Sequence, residues 1–453
     1  MEPSIKSSNK IVIAGASGFV GSALIENLSC DFEITGLTRG SGRKSSQCRW
    51  VQADLFSLLD CEMALEGHDI AIYLVHSMLP SARLVQGSFE DYDLVLADNF
   101  ARAAKKCGIK KIIYLGGIIP SDKELSQHLE SRLEVENTLA DSGIDFLAIR
   151  AGLIIGKGGS SFQIMKNLVM RLPIMLCPKW TNTLTCPIAL KDIVLIIQEA
   201  IETGTGIWDV GGADIMTYRN MLSRFATAIN LKRYFISVPF FSPGFSRLWV
   251  RLITGAPKNL VYPLVESLKS SMVPDKIRRH SLSDPIGFEE MILLSKPKDK
   301  FEPTAFKSSS SVSGNEVRSI QRISTPRQSS AREVANYYFN WLPRFLNPFI
   351  KVREVGACVY FCVIGIKTPL LTLEFSAERS SENRRLYYIK RSLLATGEGR
   401  ARLEFRDMMG GYVTIAAIHE FIPRLPWFIY KYTQAIVHLW VMKSFQKAVY
   451  KRF

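Results

Sequence analysis

Seven residues near the start of the chain, Gly15-Ala16-Ser17-Gly18-Phe19-Val20-Gly21, have the types and spacing to hold a pyrophosphate. They follow the apolar run 11–14 and lead into 22–28, which reads as helix. A strand, a glycine turn and a helix start, in that order, bring backbone N–H groups and the positive end of a helix dipole to an anion. Gly15, Ser17, Gly18, Phe19, Val20 and Gly21 are therefore the expected cofactor cradle. After the second apolar run comes Leu37-Thr38-Arg39-Gly40-Ser41-Gly42-Arg43-Lys44. A carboxylate there would hold the ribose hydroxyls of NAD. Arg39, helped by Arg43 or Lys44, suits a 2′-phosphate instead, which favours NADP(H), with NAD as the alternative. A solvated basic loop is the blander account of the same residues. Asp54 and Leu55 follow the third run, where such folds meet the adenine.

These residues need a scaffold, and the chain supplies one. Short apolar runs recur at 32–37, 49–53, 70–75, 111–115 and 146–149, with helical patterns between them. That alternation predicts an α/β fold, a doubly wound parallel sheet of the Rossmann kind. From 151 to 290 prolines break the pattern, and a substrate-side lobe is expected. The first domain thus runs over 10–290. Residues 291–315, rich in Ser, Lys and Pro, read as a linker. Over 316–453, strand-like runs end in one long aromatic helix at about 425–449, which predicts an α+β domain with an antiparallel sheet.

The 453 residues carry a net charge of +15, with roughly −5 on 1–150 and roughly +20 on the rest. No zinc-finger, basic-zipper or RNA-recognition pattern accompanies the basic half, so nucleic acid is not the expected partner. Lys and Arg interleaved with Trp, Tyr and Phe suit an anionic membrane surface instead. Eight scattered cysteines suggest neither a zinc site nor a disulfide framework and fit a reducing, cytoplasmic setting. The polar N-terminus does not read as a secretory signal, and no clean apolar span of about 20 residues occurs. The oligomeric state is not legible.

The glycine motif, Asp54-Leu55, Ile112-Ile-Tyr-Leu-Gly-Gly117, Arg150-Ala-Gly-Leu-Ile-Ile-Gly156, Lys191-Asp192-Ile193 and Trp208-Asp-Val-Gly-Gly212 together resemble the atypical, NmrA-like branch of the short-chain dehydrogenase/reductase superfamily. The resemblance covers about 10–290. It implies hydride transfer assisted by a Tyr-x-x-x-Lys pair, whose lysine lowers the phenol's pKa. In the corresponding helix His128 and Arg132 occupy that spacing. They are the expected catalytic residues, with His128 as an acid and Arg132 on ribose hydroxyls; a surface histidine is the alternative. The usual carbonyl-polarising serine is replaced by Gly116-Gly117. His76 and Ser77, after the fourth strand, are placed to approach the nicotinamide.

The C-terminal part resembles a domain that follows this fold in some bacterial proteins, START-like and of helix-grip form, on Arg402-Leu-Glu-Phe405, Ala416-Ala-Ile-His419-Glu-Phe421-Ile-Pro423 and the closing helix. That resemblance implies a lipid or other hydrophobic ligand. Together the two parts predict an NADP(H)-dependent oxidoreductase on a hydrophobic substrate at the cytoplasmic face of a membrane. The alternative is a non-catalytic NADP(H)-binding sensor or assembly factor.

Overall fold

A computed structural model describes residues 9–40, 43, 45–76, 84–120, 125–238, 243–296, 316–397 and 400–453. The chain divides into two compact units, Met1–Met78 with Leu96–Ser308, and Leu79–Val95 with Ser309–Phe453. Up to residue 280 the elements used below are β1 (Lys10–Ala14), α1 (Phe19–Leu28), β2 (Glu33–Thr38), β3 (Arg49–Gln52), α2 (Leu58–Leu65), β4 (Ile70–Tyr73), β5 (Leu84–Gln86), α3 (Phe89–Lys106), β6 (Lys111–Gly117), α4 (Gln127–Ala140), β7 (Asp145–Ala151), α5 (Leu190–Glu202), β8 (Gly206–Val210) and β9 (Arg279–His280).

In the first unit eight strands form one sheet in the order β9-β8-β7-β6-β4-β1-β2-β3. Every pairing in it is parallel. Parallel strands need crossover helices, and those cover both faces, which is why β1 and β4 read as unbroken apolar runs. Ile11, Ile13, Ile72, Ile113 and Leu147 meet Leu24 and Ile25 of α1 and Ile193 and Ile197 of α5 in the core. Ala14 pairs with Tyr73, and Tyr73 with Tyr114, so β1, β4 and β6 all point their C-terminal ends to one edge. The loops at that edge hold the candidate site, as the geometry of open parallel sheets requires. A smaller lobe packs the helices Ser160–Arg171, Tyr218–Ala228 and Phe288–Leu294 around Phe162, Met165, Phe225 and Phe288.

The second unit adds β10 (Val317–Ser324), α6 (Ala331–Phe345), β11 (Ile350–Val355), β12 (Cys358–Val363), β13 (Leu371–Phe375), β14 (Arg384–Lys390), β15 (Arg402–Met408), β16 (Val413–Phe421), α7 (Trp427–Tyr432) and α8 (Gln434–Arg452). Its sheet runs β11-β12-β13-β14-β15-β16-β10-β5. Its pairings are antiparallel apart from β10 with β5, which is parallel. Here the structure departs from a single 10–290 domain: β5 and the start of α3 belong to the second unit. Gln86 Nε2 donates to the Ala435 carbonyl at 2.9 Å, and Arg322 Nε to Asp91 Oδ1 at 2.7 Å. A three-residue strand is too short to leave a periodic signal in the sequence. The expected single closing helix is two, broken at Thr433 (φ −126°, ψ −84°). Most of 291–315, the expected linker, lies outside the described residues.

Strand β15 shows how the second sheet is sided. Leu403 and Phe405 face an aromatic core with Phe339 of α6 and Phe445 of α8, whereas Arg402, Glu404 and Arg406 point the other way. Burial raises the affinity of Glu404 for a proton, but Arg406 and Arg384 outweigh it and hold the carboxyl well below the usual range. Among the described residues no helix is long and apolar enough to cross a membrane.

Candidate dinucleotide site

The glycine cradle is built as a pyrophosphate site requires. Gly15 stands at φ +87°, with the Leu74 backbone 3.2 Å from where a Cβ would be, so a side chain there is strained twice over. Gly18 N–H donates to the Gly15 carbonyl at 2.9 Å and closes the turn, and Gly18 then caps α1 without any side-chain hydrogen bond. A Cβ on Gly21 would lie 2.4 Å from the Gly15 carbonyl oxygen, which makes glycine obligatory for helix and turn to touch. Ser17 and Gly18 are exposed at the turn, so the first N–H groups of α1 face outward. Val20 packs against the sheet core. Phe19 lies instead against the loop after β7, where Cβ atoms on Gly156 and Gly159 would stand 2.9 and 3.1 Å from its ring. Gly156 closes the Arg150–Gly156 motif, whereas Gly159 of the same loop belonged to none of the sequence motifs. These residues fit a dinucleotide: a cradle that any Cβ would fill, at a helix N-terminus with no acidic residue in its first turn.

Arg39 follows β2 directly and is exposed. A Cβ on Gly36 of that strand would stand 3.0 Å from the Ala16 side chain, which brings the end of β2 against the glycine turn. Arg43 is held over the Trp50 ring at 5.1 Å, and Lys44 lies outside the described residues. The Asp54 carboxylate accepts from Phe56 N–H at 3.1 Å and so shapes its own turn. Leu55 is buried, and its carbonyl accepts from Asn99 Nδ2 at 2.8 Å. Asp54 and Leu55 thus carry fold-defining contacts in the turn after β3.

The structure brings three predicted residues together. His76 lies three residues past the end of β4, and its ring centroid is 6.5 Å from that of His128. A Cβ on Gly117, at the end of β6, would be 4.0 Å from Cγ of Arg132, so the Arg132 stem runs past the strand end. Burial, and then the charge of Arg132, push the His128 imidazole down to about 3. His128 is therefore a neutral imidazole at physiological pH, which corrects its expected role as an acid titrating near neutrality. Ser77 lies outside the described residues.

Helix α4 carries His128 and Arg132, and three contacts fix it. Tyr114 Oη donates to the Arg132 carbonyl at 3.2 Å. Arg150 of β7 makes a buried, two-pronged ion pair with Glu136, at 2.9 and 2.6 Å, with Asp209 of β8 at 4.0 Å on its other side. Ser126 caps the helix and its hydroxyl lies 3.0 Å from that of Ser267 in the lobe. The Arg150 motif carried the family resemblance in the sequence; its partner Glu136 gave no signal there.

Residues 15–168 match the model of a family described as NAD(P)H-binding. With the parallel sheet and the glycine cradle, this match makes the first unit an NAD(P)-binding domain of Rossmann-like fold. Two curated relatives are similar over parts of the chain. The auxiliary protein GraX of Staphylococcus aureus is 32% identical over 111 residues, 24% of this chain and 36% of that protein. The match therefore spans about a third of GraX. Sanguinarine reductase of Eschscholzia californica is 26% identical over 200 residues, 34% of this chain and 73% of that protein. Among solved structures, a nucleoside-diphosphate-sugar epimerase from Staphylococcus aureus overlays with a TM-score of 0.49 at 15% identity, covering 62% of this chain and 99% of that one.

Proposed function

We propose that the first unit is an NADP(H)-dependent reductase of an apolar substrate. The observation that carries this is the cluster of His76, His128 and Arg132 beside Gly117, at the same sheet edge as the glycine cradle. NADP(H), when bound, supplies or accepts the hydride. The N–H groups after Gly15 and Gly18 hold the pyrophosphate, and Arg39 pairs with the 2′-phosphate. The Arg132 guanidinium holds negative charge as it develops on the substrate's acceptor atom. Neutral His128 offers an N–H to the same atom and orients it. The lobe helix Lys258–Ser267 reaches the start of α4 through Ser267, so the lobe lies beside the helix that carries His128 and Arg132. The similarity to a protein named as a reductase supports the direction of the reaction.

The loss of the Tyr-x-x-x-Lys pair favours a second reading, a non-catalytic NADP(H)-binding auxiliary protein, and the likeness to GraX points the same way. The two separate in one experiment. The purified chain is given NADPH with a panel of lipophilic carbonyls, iminium compounds and quinones. Sustained NADPH oxidation that falls at least about tenfold in Arg132→Leu, with dinucleotide affinity retained, supports the reductase. Tight NADPH binding without turnover on any of them rejects it in favour of the auxiliary role.

A further inference from the structure

The last helix of the chain has one face buried in its own domain and an opposite face left exposed. Val441, Met442, Phe445 and Val449 of α8 are buried in the aromatic core. On the opposite side Ile436, Trp440, Lys443, Lys447 and Lys451 follow one another at four, three, four and four residues, a single stripe on a 3.6-residue helix. All five are exposed, and the stripe spans about 22 Å at 1.5 Å per residue. It is graded along its length. Its N-terminal end is apolar, with Ile436 55% and Val437 53% exposed, and the short helix α7 before it leaves Phe428 and Tyr432 about two-thirds exposed, at 67% and 65%. Its C-terminal end is a row of lysines.

Two features argue that this face is built rather than incidental. Trp440 is half exposed, yet its ring rests on Phe345 at 4.8 Å, and Phe345 in turn stacks on Trp341 at 4.5 Å, so the indole is braced while still open to solvent. From residue 422 to the end there is no Asp or Glu, whereas Arg424, Lys431, Lys443, Lys447, Lys451 and Arg452 are all basic. Large apolar side chains at one end of a stripe and uncompensated cations at the other match the layering of a lipid interface. Aromatic and aliphatic groups enter the headgroup and acyl boundary, and lysine ammonium groups meet anionic headgroups.

We propose that α7 and α8 form a docking face for anionic phospholipid membranes, on which the second unit lies without crossing the bilayer. A second copy of this chain fits poorly, because a two-fold contact would set lysine rows against each other. Nucleic acid fits poorly too, since Phe428, Ile436 and Val437 would be held against phosphates with nothing to cover them.

The test is co-sedimentation of the full chain with vesicles of phosphatidylcholine alone and of phosphatidylcholine mixed with phosphatidylglycerol. Binding is expected on the mixed vesicles only and should weaken as salt is raised. Each juxtamembrane lysine is worth about fivefold in partitioning, so Lys443→Glu with Lys447→Glu should lower it at least about 25-fold. Trp440→Ala with Ile436→Ser should lower it at low salt as well, where charge alone would still hold. Both lysines are exposed, so their replacement spares the core, and an unchanged melting temperature confirms the fold. Equal binding to neutral vesicles, unchanged binding of the lysine variant, or no binding to vesicles would overturn the proposal. So would a stable dimer that buries this face, or stronger association with RNA than with anionic vesicles.

Discussion

Alanine at Gly21 and alanine at Gly18 should fail in different ways, and the difference follows from two distances. At Gly21 the new methyl would lie 2.4 Å from the Gly15 carbonyl oxygen and 2.6 Å from Cα of Ala16, closer than carbon atoms are found in proteins. The turn has little room to yield, because even a Cβ built on Gly15 would stand only 3.2 Å from Leu74. Relief requires a backbone shift, an overpacking strain of about 1–3 kcal/mol. For a unit of this size that lowers the melting temperature by about 2–10 °C. At Gly18 the nearest atom, the Gly15 carbonyl oxygen, is 3.1 Å away and the residue is exposed. A methyl there needs only a small adjustment and should change stability by less than about 1 kcal/mol. It nevertheless occupies the N-terminus of α1, where a phosphate oxygen must approach, and NADPH affinity should fall at least about tenfold, or 1.4 kcal/mol. Scanning fluorimetry with and without NADPH, together with calorimetric titration, reads both effects. A Gly21→Ala protein that melts like the native one, or a Gly18→Ala protein that binds NADPH like the native one, would refute the reasoning.

Two further outcomes concern the helix that carries the candidate chemistry. Glu136→Gln leaves Arg150 buried with only Asp209, 4.0 Å away, as a counter-charge. Denaturant titration should show a loss of about 3–5 kcal/mol, the usual consequence of breaking a buried ion pair from one side. His128, held down to about 3, binds its proton later than the unfolded chain does. Stability should therefore be full above about pH 6.5 and decline as pH falls from there toward 3, because the unfolded state takes up the proton first. His128→Gln should flatten that part of the stability-versus-pH curve, which melting temperatures measured from pH 7 to 4 will show. By the same reasoning NADPH oxidation should lack a limb near pH 6.5 from His128, and a limb that disappears in His128→Gln would contradict its neutral role.

The parallel sheet and its cofactor edge were legible in the sequence because buried parallel strands are apolar on both faces and glycine turns are chemically unmistakable. β1, β4 and β6 left that signal, and so did the run from Gly15 to Gly21. Other features were hidden for equally physical reasons. β5 is three residues long and pairs with β10, more than two hundred positions later in the chain. Glu136 lies in a helix of mixed charge, where only the three-dimensional approach of Arg150 separates it from its solvated neighbours. The break at Thr433 falls inside a stretch, 427–452, with no Gly or Pro to mark it. The shift of His128 depends on burial beside Arg132, and sequence spacing carries the neighbour but not the desolvation. The closing helix shows the reverse case: its interleaved aromatic and basic residues suggested a membrane surface, and folding leaves Trp440 exposed with Lys443, Lys447 and Lys451 while Phe445 enters the core.

The most direct measurement is equilibrium binding of NADPH and NADH to the full chain, native and with Arg39→Ala, by calorimetric titration. The account predicts that NADPH binds at least about tenfold more tightly than NADH, as a charge-assisted guanidinium–phosphate contact should provide, and that Arg39→Ala brings the two affinities together. Equal affinities in the native protein, or a preference for NADPH that survives the loss of Arg39, would contradict it.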